Sequence, residues 1–288
     1  MSAPTMIGLT LPDVDVWSDR VVVALGQNPG LFTGPGTNTY LVGTGPERIL
    51  VDTGQGVPAY LGVLERALAR AGCRIQEIAL THGHPDHLGG VASLQGRFGP
   101  LRVSKRPHAQ FDLACPAPLN AIDDGSRLRT EGATLRAVHT PGHAEDHLCF
   151  VLEEEQSLFS GDNVLGVGTT VIPSEGGDLG DYMRSLARLE AEAPRVIYPA
   201  HGPRIGDGVA KIREYIDHRN AREIEILEAL RRGDETIPAI VARVYAAYPP
   251  ALHGPARHSV CAHLKKLERE GRVQRHGEVP LDARWSLA

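Results

Sequence analysis

Ala79 to Gly90 reads ALTHGHPDHLGG and places His82, His84, Asp86 and His87 within six positions. The apolar residues of Ile75 to Leu80 read as a buried strand ending at Thr81, and Gly89-Gly90 leads into Val91-Ala92-Ser93-Leu94, which reads as a helix start. The cluster therefore sits on a strand-to-helix loop, where side chains converge on a point. His82 and His84, two apart on extended backbone, project to the same side. Pro85 then turns the chain so that Asp86 and His87 aim back at a neighbouring point. Neutral imidazole suits zinc, and a carboxylate adds the charge that a second cation requires. Four donors are too many for one open tetrahedral site and too few for two closed ones. Further ligands are expected downstream.

Candidates follow at three places. HTPGHAEDH puts His143 after the apolar segment Leu135 to Val138, LFSGDNVLG puts Asp162 after Ser157 to Ser160, and RVIYPAHGP puts His201 after Val196 to Tyr198. Each follows a short strand-like run and has a glycine beside it, so one sheet edge would gather all seven donors. A lone histidine is most often a surface or core residue; seven donors, each at a strand end, point to metal.

Composition bounds the rest. The 288 residues, 42% hydrophobic, suffice for one large domain or one domain with an appendage, and no apolar run is long enough to span a membrane. The first basic residue is Arg20, so no secretory or organelle signal is visible and a cytoplasmic location is expected. Four cysteines without paired spacing read as free thiols. From Ile205 onward the chain carries 14 basic and 12 acidic residues, a net +2, so the part before it carries −7 and the whole chain −5. Bulk electrostatics exclude a general nucleic-acid binder, but not a local basic patch.

From Val209 the pattern turns helical, with Val209, Ile212, Tyr215, Ile216, Ile224, Leu227 and Leu230 at helical spacing up to Gly233. A second helix is expected over Ile237 to Tyr245, and a third in RHSVCAHLKKLEREGRVQR, before a terminal hairpin that includes ARWSLA. Three helices and a hairpin resemble a winged helix. Arg257, Lys265, Lys266, Arg269, Arg272 and Arg275 give its third helix a basic run, which reads either as a solvated face or as a nucleic-acid footprint.

The HxHxDH pattern at His82 to His87, with Gly142-His143, Gly161-Asp162, His201-Gly202 and VDTG at Val51 to Gly54, resembles the metallo-β-lactamase superfamily. That resemblance implies an α/β fold: an αββα metallo-β-lactamase sandwich over residues 1–205, with a small C-terminal winged-helix domain over 206–288. It implies that His82, His84 and His143 hold one divalent ion, that Asp86, His87 and His201 hold the other, and that Asp162 bridges. Asp52 would orient a ligand from behind. Zinc suits these donors, although manganese or iron fits the same geometry.

The implied activity is hydrolysis by a metal-bridging hydroxide, with Asp86 both ligand and orienter of the attacking water, and His147 as candidate acid for the leaving group. The layout, from NPGLFTGPGTNTYLVGTG to HLKKLEREGRV, resembles the β-lactamase-like protein 2 branch, whose animal members are endoribonucleases on single-stranded RNA. Thr37, Asn38 and Tyr40 belong to that branch's N-terminal signature and are expected to line the pocket. The competing readings are a thioester or lactone hydrolase similar to hydroxyacylglutathione hydrolase, and a winged-helix nucleic-acid binder with a sensor core. An aromatic content of 5% offers few stacking platforms for RNA bases. Oligomeric state stays open.

Overall fold

The computed structural model describes residues 6–288. Two sheets face each other. The first runs in the order β1 (Val14–Ser18), β2 (Val21–Leu25), β3 (Asn38–Val42), β4 (Glu47–Val51), β5 (Arg74–Ala79), β6 (Arg102–Lys105) and β7 (Leu119–Ala121). Its first four strands are antiparallel, and β4 to β7 are parallel. The second contains β8 (Arg127–Thr130), β9 (Ala133–His139), β10 (Leu148–Leu152), β11 (Ser157–Gly161) and β12 (Val196–Pro199), antiparallel except for the β11–β12 pair.

Both faces of the first sheet are covered, and the two-residue period of a strand sorts its side chains between two cores. On β2, Val21 and Val23 enter the inter-sheet core, while Val22 and Ala24 pack against helices. On β3, Tyr40 and Val42 face inward and Leu41 outward; on β4, Ile49 and Val51 face inward and Leu50 outward. The outer layer on this side is α1 (Pro58–Ala71), the one-turn α2 (Pro85–Leu88) and α3 (Val91–Phe98). On the other side lie α4 (Leu179–Ala191) and the start of α5 (Gly208–Arg231). This is the αββα sandwich expected from the sequence.

Strand direction creates the site. Parallel β4 and β5 both end at one edge, delivering Asp52 and the loop that begins at Thr81. In the second sheet β9 and β11 are each antiparallel to β10, hence parallel to one another, and β12 runs with β11. The chain after β9, β11 and β12 therefore leaves at the same edge, carrying His143, Asp162 and His201.

At 24 residues, α5 is long enough to leave the sandwich. Its first half contributes Ile212 and Tyr215 to the core under the second sheet, and its last turns contribute Ile226, Leu227 and Leu230 to a separate core. That second core is completed by α6 (Ile237–Val244), α7 (His253–Arg269) and the hairpin β13 (Val273–His276) and β14 (Arg284–Leu287), with Trp285 fully buried at its centre. The third helix begins at His253, earlier than the sequence pattern placed it, because Pro255 falls in its first turn, where a missing N–H costs nothing.

Candidate metal centre

All seven donor residues meet at the common edge. His82, His84 and His143 offer ligand atoms within 4.8 Å of one another; so do His82, His87 and Asp162, and again Asp86, His87 and His201. Asp162 lies between the groups: one carboxylate oxygen is 3.4 Å from His87 Nε2 and 3.2 Å from His201 Nε2, and the other is 3.4 Å from His143 Nε2. Asp86 closes the second group, 3.4 Å from His87 Nε2 and 3.3 Å from His201 Nε2.

Behind three of the forward-pointing nitrogens, those of His82, His87 and His143, sits a group that fixes the tautomer. Asp52 adopts a left-handed backbone (φ 58°) at the end of β4, turning its carboxylate toward the loop. It accepts hydrogen bonds from Thr81 N (2.8 Å), from Thr81 Oγ1 (2.9 Å) and from His87 Nδ1 (2.8 Å). Because Thr81 gives its only hydroxyl proton to Asp52, its Oγ1 accepts from His82 Nδ1 at 3.0 Å. His143 Nδ1 donates to the Val171 carbonyl at 2.9 Å. His82, His87 and His143 are thus held with the Nε2 atoms facing inward.

Two observations test whether cations fit. His84 Nδ1 lies 3.0 Å from His82 Nε2 and 3.1 Å from His143 Nε2, so three ring nitrogens converge and one proton can satisfy only one contact. Burial and neighbouring imidazoles hold His82 well below the usual histidine range and His84 at about 4, so these rings are neutral and present lone pairs. In the other group, His87 Nε2 and Asp162 Oδ1 are buried with no hydrogen-bond partner. Burial opposes ionisation there too, but the surrounding carboxylates raise His87 well above its normal value and His201 to about 9, while the histidines pull Asp86 and Asp162 far down. Converging lone pairs beside concentrated negative charge suit two divalent ions.

The motif glycines have steric reasons. A side chain on Gly161 would come within 2.5 Å of His147 Nε2, and one on Gly142 within 2.4 Å of Tyr182 N, at φ values of +50° and +131°. Only glycine lets the strands pass these neighbours and present Asp162 and His143.

The structure does not bring His147 to the substrate side. It is fully buried, its Nε2 accepts from the Asp162 backbone N–H at 3.1 Å, and its Nδ1 meets Thr140 Oγ1 at 3.0 Å. Both nitrogens are spent inside the fold, so its geometry is that of a support for the Asp162 turn. Thr37, Asn38 and Tyr40 are likewise buried and do not line the cavity above the metal-ligating residues. Asn38 Nδ2 donates to the carbonyls of Pro199 and Gly202, Tyr40 Oη donates to Pro199 O at 2.6 Å, and Thr37 bridges His201. They clamp the loop that carries His201.

Sequence reasoning missed the wall of the site. His84, Asp86, His143, Asp162 and His201 form the floor of a cavity of about 770 Å³. Leu31, Phe32, Leu165, Val167 and Val171 line it on the sandwich side, and Tyr245, Tyr248, Leu252 and Ala256 line it from the C-terminal bundle. Three polar contacts hold the bundle there: Arg269 to Asp178 at 2.6 Å, Lys265 to the Ser174 carbonyl at 2.9 Å, and His258 Nδ1 with Ser174 Oγ at 2.9 Å. The remaining basic residues of the α7 region are also engaged, Lys266 and Arg272 with Glu223, Arg275 with Glu268 and Arg257 with Asp282. No helix among the described residues is long and apolar enough to cross a membrane.

Residues 32–201 match the family described as Metallo-beta-lactamase superfamily, and residues 236–285 match the Beta-lactamase associated winged helix domain. An atrochrysone carboxyl ACP thioesterase of Aspergillus chevalieri is 44% identical over 250 residues, covering 83% of this chain and 77% of the relative. A beta-lactamase-like protein 2 homolog of Caenorhabditis elegans is 41% identical over 268 residues, covering 91% and 88%. The crystal structure of a beta-lactamase domain protein from Burkholderia ambifaria superposes with a TM-score of 0.82 at 22% identity, over 98% of this chain and 96% of that one.

Proposed function

Since the chain belongs to the metallo-beta-lactamase superfamily of hydrolases and carries the associated winged-helix domain, we propose that it hydrolyses thioesters of apolar acyl groups. The observation that carries this reading is the cavity: the metal-ligating side chains form one end, and aliphatic and aromatic side chains of both domains form the walls. Such a pocket gains free energy from a buried hydrocarbon and little from a phosphate backbone. One of the relatives is named as a thioesterase acting on an acyl carrier protein substrate, which supports the same class.

In this reading residues 1–205 form the hydrolase domain and 206–288 the C-terminal domain, with α5 shared between them. His82, His84 and His143 would hold one ion and Asp86, His87 and His201 the other, with Asp162 between, zinc being the ion these donors suit. When bound, such a pair lowers the pKa of a shared water toward about 7 and draws charge from the scissile carbonyl. The chain's residues do the rest. Asp52 and Thr81 keep the protons of His87 and His82 on Nδ1 and away from the ligand positions. Asp86, with its side chain 22% exposed at the cavity floor, accepts a hydrogen bond from the attacking water and orients it. The thiolate leaving group, of low basicity beside an alkoxide or amine, departs without a dedicated acid, which agrees with His147 facing inward. The apolar walls hold the acyl chain and exclude bulk water.

Single-stranded RNA is the competing substrate, motivated by the likeness to the beta-lactamase-like protein 2 branch. The six basic residues on which a nucleic-acid footprint would rest are instead engaged with partners in the fold, which favours the thioester. The test is direct: metal-loaded protein and an Asp86→Ala control are given octanoyl-N-acetylcysteamine and labelled oligoribonucleotides. Thioester turnover that the variant lacks is expected; rapid RNA cleavage with an untouched thioester would replace this reading by the other.

A further inference from the structure

The wall of the cavity contains one charge without a counterion. Arg219, on α5, is 2% exposed and lines the cavity beside His218. Its Nη2 donates to the Thr170 carbonyl at 2.5 Å, its guanidinium lies 5.3 Å from the Tyr182 ring centroid, and its Nε is buried with no partner. No carboxylate within salt-bridge distance faces it among the described residues. Glu214, the one acidic side chain of α5 on the cavity, is 60% exposed and is taken by Lys211 at 2.7 Å. Arg222, one turn on, also has an unpartnered Nε, but its guanidinium has a carboxylate: it donates to Glu225, to the Val244 carbonyl and to Tyr248 Oη, so Arg219 differs in lacking a counterion.

An arginine stays ionised at any accessible pH, and a buried charge left unpaired costs several kcal/mol. The adjacent His218 Nδ1 is also buried without a partner. A guanidinium and an imidazole on the wall of a largely apolar cavity offer directional donors to a planar oxyanion. Thr170, which Arg219 holds, also approaches His143, its Oγ1 lying 3.4 Å from His143 Nδ1. The charge is therefore about one residue away from the metal ligands, within reach of a functional group on the same substrate.

We propose that Arg219, assisted by His218, is an anion subsite that binds a carboxylate carried by the substrate, so that the preferred thioester is that of a dicarboxylic or otherwise acidic acyl group. This rests on the thioesterase reading for its choice of substrate, while the subsite itself can be tested without turnover.

The kinetic test compares N-acetylcysteamine monothioesters of dicarboxylic acids with the matched neutral acyl thioesters across a series of chain lengths. A second arm compares octanoyl-pantetheine with octanoyl-4′-phosphopantetheine, since a carrier-arm phosphate is another source of the same oxyanion. Wild type is expected to favour the ω-carboxylated member at one chain length by at least about tenfold in kcat/KM, the worth of one charge-assisted hydrogen bond. In Arg219→Gln that ratio should fall to near one, whatever happens to the absolute rates. Discrimination on the phosphate pair alone, lost in Arg219→Gln, keeps the subsite and assigns its anion to the carrier arm. Equal kcat/KM across every pair in wild type, or a preference retained in Arg219→Gln, overturns the proposal. Calorimetric titration with octanamide and suberamic acid covers the case in which no thioester is cleaved. Tighter binding of the acid by wild type but not by Arg219→Gln supports the subsite even if the thioesterase reading fails; equal binding removes it.

Discussion

Asp52→Asn isolates the group that orders the ligands from behind. Asparagine tolerates the left-handed backbone that Asp52 adopts at φ 58°, so the substitution adds no conformational strain. What changes is the proton inventory. Asp52 accepts from Thr81 N, Thr81 Oγ1 and His87 Nδ1, and an amide cannot accept on both of its ends. With its oxygen kept on Thr81 N, the new NH2 faces His87 Nδ1 and drives that ring to the other tautomer, placing a proton on Nε2, where the metal lone pair is required. One charge-assisted hydrogen bond is lost, worth about 1.5–3 kcal/mol. That matches the 10- to 100-fold fall in metal affinity typical when such a supporting carboxylate is removed. Competitive zinc titration against a chromophoric chelator reads the change, which should be larger for the ion held by His87. Melting of the chelated protein supplies the control, since a loss of about 1–2 kcal/mol shifts Tm by only about 2–4 °C per kcal/mol. Unchanged zinc affinity at both equivalents, with a large drop in the chelated Tm, would refute a tautomer-setting role and leave Asp52 a purely structural residue.

Chelation should abolish turnover and lower Tm, with both restored by zinc, because an ion at 100 times its Kd stabilises the folded state by about 2.7 kcal/mol; activity surviving exhaustive dialysis against chelator would contradict the metal centre. Trp285→Ala should cost about 3–5 kcal/mol, since this indole is fully buried at the centre of the C-terminal core, and a chemical denaturation midpoint within error of wild type would show the core to be mis-assigned. Burial, reinforced by Arg219 and Arg222, holds His218 at about 4 and His263 well below its ordinary value. The unfolded chain therefore binds protons near pH 6.5 that the folded chain refuses, and stability should fall as pH drops from about 6.5 toward 4. Replacing both by glutamine should flatten that slope relative to wild type, the metal-site histidines contributing equally to both proteins. Lys265→Met with Arg269→Ala should change stability by only about 1 kcal/mol, Arg269 being a half-exposed pair, yet raise KM for long acyl thioesters; parallel KM changes for short and long chains would detach the bundle from substrate binding.

The sandwich and the donor set were legible because each rests on local pattern. Strand-like runs followed by a glycine and a ligand mark chain ends at a sheet edge, and the two-residue period of Val21 to Leu25 or Glu47 to Val51 is satisfied by two cores that the sequence cannot tell apart. Roles that depend on distant partners were not legible. Asn38 and Tyr40 carry a recognisable signature, but their partners, Pro199 and Gly202, lie some 160 residues away, so a clamp on the His201 loop read as pocket lining. His147 follows His143 by four residues, and nothing local reveals that its Nε2 is taken by the Asp162 N–H. The basic run of α7 read either as a solvated face or as a nucleic-acid footprint, and its ion pairs were not legible because Glu223, which holds both Lys266 and Arg272, comes from another helix.

Arg219 shows the same limit on the other side of the cavity. In KIREYIDHRNAREIEIL it is one charge among many on a long helix, and an isolated helix would leave it in water. It is buried because α5 belongs to two cores at once, its first half packing under the sandwich and its last turns inside the C-terminal bundle, so one face of the middle of the helix, carrying Arg219 and Arg222, is covered while Asn220 and Ile224 stay exposed. That double packing also makes the cavity, since Leu31 and Phe32 of the sandwich and Tyr245 and Ala256 of the bundle line the same space. A metal edge alone would serve any hydrolysable ester, amide or phosphodiester that reached it. In the proposed reading substrate choice passes to the C-terminal bundle, whose aromatic and aliphatic side chains favour a hydrocarbon, and to α5, which brings Arg219 to the cavity wall with no carboxylate partner among the described residues.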